Sequence, residues 1–217
     1  RAAVPPFRCR PAALVALSGA IAAMRIVGGR FRGHGLAAPG AAGGGAAHLR
    51  PTADRVREAL FNLLAHGPYD GAPEGRRVLD LFAGAGTLGL EALSRGALFA
   101  VFVDDHAPSR ALIRRSVDTL GLAGVTKIWR RDATRLGPCR GAPFDLVFAD
   151  PPYDRPRLAG EALSSARAGG WLAPGALVVV ESAAAAPAEL PDWLARHDTR
   201  RYGEAEIAIL QHDAEGG

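Results

Sequence analysis

Phe144-Asp-Leu-Val-Phe-Ala-Asp-Pro-Pro-Tyr153 sets the frame for this chain. Phe144 to Ala149 is an apolar run of strand length that stops at a proline signal, the pattern of a central parallel strand. Asp150-Pro151-Pro152-Tyr153 then forms a stiff polar tip. Two consecutive prolines fix two φ angles and remove two N–H donors. The carbonyls of Asp150 and Pro151 are therefore outward acceptors, joined by a carboxylate and a flat aromatic face. Acceptors beside a stacking platform suit a planar ring bearing an exocyclic amine. A Pro-Pro turn with an incidental Asp would look the same in isolation. Position separates the two readings, because open α/β sheets bind ligands at the carboxyl ends of their strands.

Outward from this strand, strands and helices alternate from Arg76 onward. The periodicities predict strands over 76–81, 98–104, 125–131, 143–149 and 175–182. Helices are predicted over 87–95, 108–120, near 157–168 and near 188–196. A closing pair of strands, 198–202 and 205–210, turns at Tyr202-Gly203. Such alternation means a seven-stranded, mostly parallel α/β sheet of Rossmann-like type, helix-covered on both faces, with an antiparallel C-terminal strand. Upstream, residues 24–36 (MRIVGGRFRGHGL) alternate apolar and basic residues around glycines and read as a small β-hairpin. Residues 37–47 are Gly/Ala-rich and read as a mobile loop. A helix is predicted from Thr52 to Ala65, stopped by Gly67-Pro68. The chain thus divides into residues 1–23, a hairpin and helix over 24–70, and an α/β domain over 71–217. Residues 1–23 superficially resemble a signal peptide. We read them instead as an extension from a misplaced start, since the coherent strand pattern begins at Met24.

The 217 residues suffice for one domain with a sizeable core plus an appendage. Net charge is +4, and every basic residue but Lys127 is Arg. Arginine suits phosphate contact and stacking, although a genome rich in Ala, Gly and Arg accounts for most of the missing lysine. Cys9 and Cys139 make no metal or redox spacing. No apolar run is long enough to span a membrane. A reducing cytoplasm is the simplest setting, and no metal site is expected.

A second motif lies in Val78-Leu-Asp-Leu-Phe-Ala-Gly-Ala-Gly-Thr-Leu-Gly89, a strand, a glycine-rich turn and a helix start. Gly84, Gly86 and Gly89 give G-x-G-x-x-G in the context a cofactor turn requires. Asp80 tips the balance away from a dinucleotide. A carboxylate there would repel a pyrophosphate but can bind the ammonium and sulfonium of S-adenosylmethionine. Asp104 ends the second strand at about the spacing of a ribose-hydroxyl acceptor; Asp105 reads as a solvated turn acid. Asp132 follows the third strand and reads either as a helix cap or as an acceptor for an adenine amine. Asp80, Asp104, Asp132 and Asp150 would all line one edge of the sheet. A structural protein has little reason to build such an edge.

These motifs resemble the class I S-adenosylmethionine-dependent methyltransferases, and the tip resembles the D-P-P-[YF] motif of amino-group N-methyltransferases. The likeness is closest to the bacterial 16S rRNA guanine-N2 methyltransferases of the RsmD type, over about residues 24–211. It rests on M-R-I-V-G-G-R-F-R-G, on R-P-T-A-D-R-V-R-E-A-L-F-N (50–62) and on L-D-L-F-A-G-A-G-T-L-G-L-E-A-L-S-R-G (79–96). Asp104-Asp105 replaces a Glu followed by a variable residue, so a shorter acid must reach the ribose. The resemblance implies S-adenosylmethionine held by Asp80, Phe82, Ala83, Gly84, Gly86, Asp104, Asp132 and Ala133. It implies catalysis by Asp150, Pro151, Pro152 and Tyr153, with a flipped-out base. It implies 16S rRNA, within a small-subunit assembly particle, as the partner of a cytoplasmic monomer. Arg25, Arg30, Arg32 and Arg50 would contact phosphates, while Arg57 reads equally as a phosphate contact or a solvated helix residue. Tyr153→Phe should be tolerated, because the aromatic face matters more than the hydroxyl.

Three other functions fit parts of the sequence. A DNA adenine-N6 or cytosine-N4 methyltransferase uses the same tip, but the stretch between Met24 and the sheet is short for a recognition domain. A non-catalytic RNA- or cofactor-binding module sits poorly with an intact Asp-Pro-Pro-Tyr tip. A nicotinamide oxidoreductase sits poorly with Asp80 and with the lack of a second substrate domain.

Overall fold

In the computed structural model, residues 24–38 and 54–213 are described. Residues 1–23, most of the Gly/Ala-rich loop, and Arg50 with the expected helix start at Thr52 lie outside the described residues. The elements are α1 (Asp54–His66), β1 (Arg77–Leu81), α2 (Thr87–Ser94), β2 (Phe99–Val103), α3 (Ala107–Thr119) and β3 (Thr126–Trp129). They continue with β4 (Phe144–Ala149), α4 (Leu158–Ala168), β5 (Leu172–Ala183), β6 (Leu194–Tyr202) and β7 (Ala205–His212). The seven strands form one sheet in the order β3-β2-β1-β4-β5-β7-β6. All pairings are parallel from β3 to β5, and β7 runs antiparallel to both neighbours. The four central strands, β2, β1, β4 and β5, are apolar on both faces because both faces are covered. One face packs α1, α2, α3 and the 24–38 segment over Val78, Phe102, Leu146, Phe148 and Val179. The other packs α4 and the turn at Ala133–Arg135 over Leu79, Val101, Val147 and Val178. No described helix is long and apolar enough to cross a membrane.

One predicted element is absent. Residues 188–193 are not helical, and the chain enters β6 at Leu194. Pro187 and Pro191 disfavour the α conformation before each of them and withhold N–H groups. The chain is instead drawn along the sheet to pair β6 with β7 from Leu194↔His212 to Tyr202↔Ala205, with a register shift between Arg196 and Asp198. The 24–36 segment is also less regular than a hairpin ladder. Its two arms pair about the single bridge Arg25↔Gly35, where the Ile26, Gly33 and Leu36 N–H groups donate to the His34, Ile26 and Met24 carbonyls, around a 3-10 turn over Gly29–Phe31.

That segment has no core of its own. Met24, Ile26 and Leu36 join the same cluster as Leu60, Phe61, Leu64, Leu90 and Leu93. It lies across α2, which is therefore covered on all sides; Leu88 through Ser94 are all buried. Glu91 of α2 is the anchor. Its carboxylate accepts the Val27 N–H at 2.8 Å and the Arg95 Nε–H at 2.7 Å, and Arg57 Nε lies 3.8 Å away. Ser94 accepts the Phe31 N–H and donates its hydroxyl to the Gly28 carbonyl. Gly29, at φ 73°, faces the Ser94 carbonyl so closely that no side chain could fit. Arg57 is therefore neither a solvated residue nor a phosphate contact. It is fully buried, donating to the Arg25 carbonyl at 2.6 Å and to Asp54 at 2.9 Å.

Candidate active site

A cleft of about 590 Å³ opens at the carboxyl edge of the sheet, where the loops after β1, β2, β3 and β4 converge. Phe82, Gly84, Asp104, Asp132, Ala133 and the whole tip from Asp150 to Tyr153 line it. Sequence-predicted residues from four separate loops thus meet in one cavity. Asp80, Ala83 and Gly86 are buried and do not line it. Arg25, Arg30 and Arg32 do not line it either. Phe31, between Arg30 and Arg32, donates its N–H to Ser94 in the last turn of α2, whereas the cleft lies at the Gly86 end; Arg25 pairs with Asp54 at the start of α1.

The glycine turn is built from behind. Asp80 is 2% exposed, and its Oδ2 accepts the Gly89 N–H at 2.9 Å. A Cβ at Gly89 would stand 3.0 Å from that oxygen and against the Phe102 ring, so glycine is what lets α2 approach β1 and β2. Burial pushes the Asp80 carboxyl up to about 8, against the lowering effect of the Gly89 N–H. Phe82 opens the turn at φ 59°, a left-handed conformation costly for a bulky residue and found where a site over-determines the backbone. From the front, Asp104 braces the same turn. One carboxylate oxygen accepts the Gly84 N–H at 2.8 Å and the other accepts the His106 N–H at 2.7 Å. Arg110 of α3 donates to the Asp104 carbonyl at 3.0 Å and fixes the end of β2. A carboxylate offers about four lone-pair positions, so Asp104 keeps acceptor capacity toward the cleft. Desolvation raises its pKa above the usual carboxylate range.

Asp132 behaves as the cap that the sequence allowed. Its Oδ1 accepts from the Thr134 hydroxyl and N–H at 2.7 and 2.9 Å, and these bonds lower its pKa. It lines the cleft all the same.

The tip is different in kind. Asp150 keeps a partly exposed edge on the cleft, yet burial, then the charges of Glu181 and Asp80, push its carboxyl well above the ordinary range. Among the described residues neither Asp150 nor Asp80 has a cation partner. Glu181, on β5, is the residue sequence reasoning missed. Register pairs Ala149 with Val180, so Asp150 and Glu181 continue side by side from neighbouring strands. Glu181 is buried and accepts the Tyr153 hydroxyl at 2.5 Å. The signal was present in Val178-Val-Val-Glu181, a fifth strand carrying an acid near its carboxyl end.

The donor set fits a cationic, phosphate-free cofactor. Six acids line the cleft against two arginines, Arg131 and Arg155, and the apolar Phe82 and Val103 flank it, a balance that favours a cation over a pyrophosphate.

Comparison with known proteins agrees. Residues 24–211 match the family described as conserved hypothetical protein 95. The ribosomal RNA small subunit methyltransferase D of Escherichia coli is 39% identical over 196 residues, spanning 89% of this chain and 92% of that protein. The chain belongs to this family. The Haemophilus influenzae methyltransferase D is 36% identical over 172 residues, 78% of this chain and 83% of its own length. The solved Escherichia coli structure named yhhF superposes with a TM-score of 0.73 at 32% identity, covering 89% of this chain and 99% of that one. As a ribosomal RNA methyltransferase of the class I fold, the chain places its cleft at the strand ends where that fold binds ligands.

Proposed function

We propose that the chain transfers a methyl group from S-adenosylmethionine to the exocyclic N2 amine of a guanine in 16S rRNA. The observation that carries this reading is the shared cleft: the glycine turn, Asp104 and the Asp150–Tyr153 tip line one cavity. Gly84 and Asp104 hold the cofactor from the turn side, while Asp132 and Ala133 edge its ring. Asp80 acts from beneath, fixing the turn through the Gly89 N–H, and a cation in the cleft favours its ionised form. When bound, S-adenosylmethionine supplies an electrophilic methyl carbon.

The remaining chemistry belongs to the tip. An exocyclic amine is a poor nucleophile because its lone pair is delocalised into the ring. The Asp150 carboxylate and Pro151 carbonyl accept its two N–H groups and favour a pyramidal nitrogen whose lone pair faces the methyl. Positive charge in the same cleft favours the ionised form of Asp150. As the nitrogen gains carbon it becomes cationic, and Asp150, with its raised pKa, is matched to take the proton it sheds. Proximity and in-line placement supply much of the rest. Tyr153 stacks on the base. The 24–38 segment, with Arg30 and Arg32, forms an outer phosphate footprint, and the substrate is an assembling small-subunit particle.

The test is transfer of labelled methyl from S-adenosylmethionine to small-subunit particles, naked 16S rRNA and duplex DNA, with the modified nucleotide mapped. RNA from cells lacking the gene should accept label at one guanine N2. Label on DNA adenine or cytosine, or no label at all, overturns the reading.

A further inference from the structure

We propose that Glu181 is a positioning residue of this site, holding the Tyr153 ring by its hydroxyl so that the aromatic face meets the target base at a set angle. The inference rests on the methyl-transfer reading above. Three observations carry it. Tyr153 lines the cleft from an irregular turn, outside any strand or helix that could orient it. The two residues before it are prolines, so no backbone N–H of theirs can tie the tip to a neighbour. Its hydroxyl reaches across to β5 and donates to Glu181 Oε1 at 2.5 Å. A tyrosine ring has two main torsions; fixed at Cβ by the tip and at its hydroxyl by a buried strand residue, it is held at both ends.

Glu181 is itself well placed for this. β5 pairs with β4 on one side and β7 on the other, so its backbone is among the most constrained in the sheet. A buried carboxylate needs donors, and the tyrosine hydroxyl supplies one while leaving the ring face toward the cleft. The contact reverses the expectation that Tyr153→Phe is harmless: removing the hydroxyl removes the outer fixing point of the ring.

Three measurements test this on the full chain. With 13C at the tyrosine ring carbons, Tyr153→Phe identifies the Tyr153 signal among the three tyrosines by its loss. Glu181→Ala should shift that signal, without cofactor or RNA present. Single-turnover methyl transfer to small-subunit particles should then fall about tenfold in Glu181→Ala and in Tyr153→Phe. The double variant should be no worse than either, and S-adenosylmethionine affinity by calorimetry should stay within twofold. Glu181→Gln, which keeps an acceptor, should recover most of the loss; a general packing defect would not be rescued this way. An unmoved Tyr153 signal in Glu181→Ala overturns the proposal. So does a moved signal with turnover unchanged in both single variants. If the wild-type protein methylates no RNA, the parent reading fails, and the ring-carbon signal still decides the strut.

Discussion

Buried carboxylates occur at both ends of α2, and their surroundings differ. At the far end Glu91 is fully buried, but its oxygens meet the Val27 N–H and the Arg95 guanidinium, with Arg57 close by. At the cleft end, among the described residues, Asp80 and Asp150 have no cation partner, and each sits within reach of another acid's charge. The first arrangement is a fastener: charges neutralised where water is excluded. The second leaves carboxyls whose ionised forms have no partner among the described residues, an arrangement that holds protons and suits a site that receives a cation. Residue type alone does not separate them; the partners do.

The largest effect expected from this contrast is on stability. Glu91→Leu removes the acid and leaves Arg57 and Arg95 without it, at a cost of about 3–5 kcal/mol. Urea unfolding measures it, and a loss under about 1 kcal/mol would mean that Glu91 is no fastener. Asp150→Ala should act on rate alone. Loss of one acceptor that strengthens in the transition state costs on the order of 10²–10³ in turnover. Stability should hold or rise, because a like charge leaves the cluster. Single-turnover kinetics with a parallel melting curve reads both, and near-normal methyl transfer would remove Asp150 from the chemistry.

A smaller effect follows from Asp80. Its folded pKa of about 8 lies above its ordinary 3.8, so the folded protein binds more protons than the unfolded chain between those values. The stability from this group is fully present below about pH 4 and is lost as pH rises through about 8. The slope is at most about 1.4 kcal/mol per pH unit for one group. Asp150 adds a slope of the same sign. Asp80→Asn cannot ionise but can still accept the Gly89 N–H, so its stability should fall less steeply from pH 5 to 8. Urea midpoints across that range decide it; identical slopes in variant and wild type would show that Asp80 does not titrate there.

The parallel sheet was legible because its strands are apolar runs ending in turn chemistry, and each predicted strand appears within a few residues. The helix near 188–196 was misread because local propensity is weaker than the demand of β7 for an edge partner. The cleft was legible wherever an acid follows an apolar strand. Glu181 fits that rule and was missed because no turn signal follows it. Arg57 was misread for a different reason. An arginine among charged residues on an amphipathic helix looks solvated, and only the lid formed by residues 24–38 buries it. The apolar character of α2 on every side was the clue to that lid.

The smallest effect concerns the arginines of the lid itself. Arg30 lies 4.5 Å over the Phe31 ring, Arg32 is exposed, and Arg25 pairs with Asp54 at 2.8 Å. If Arg30 and Arg32 touch phosphates, each alanine substitution should lower the salt dependence of RNA binding by about 0.7–0.9 in the slope of log K against log salt. Arg25→Ala should do less, because its charge is already partly spent on Asp54. None of the three lines the cleft, and Arg30 and Arg32 flank Phe31 at the far end of α2 from it, so the change should appear as a raised KM for the particle with turnover held. Salt titrations of binding, with kcat and KM at one salt, measure both. An unchanged slope would leave these arginines as solvated surface. A fall in kcat instead would mean that the lid transmits its position along α2 to the glycine turn, and the two ends of the helix would then be parts of one device.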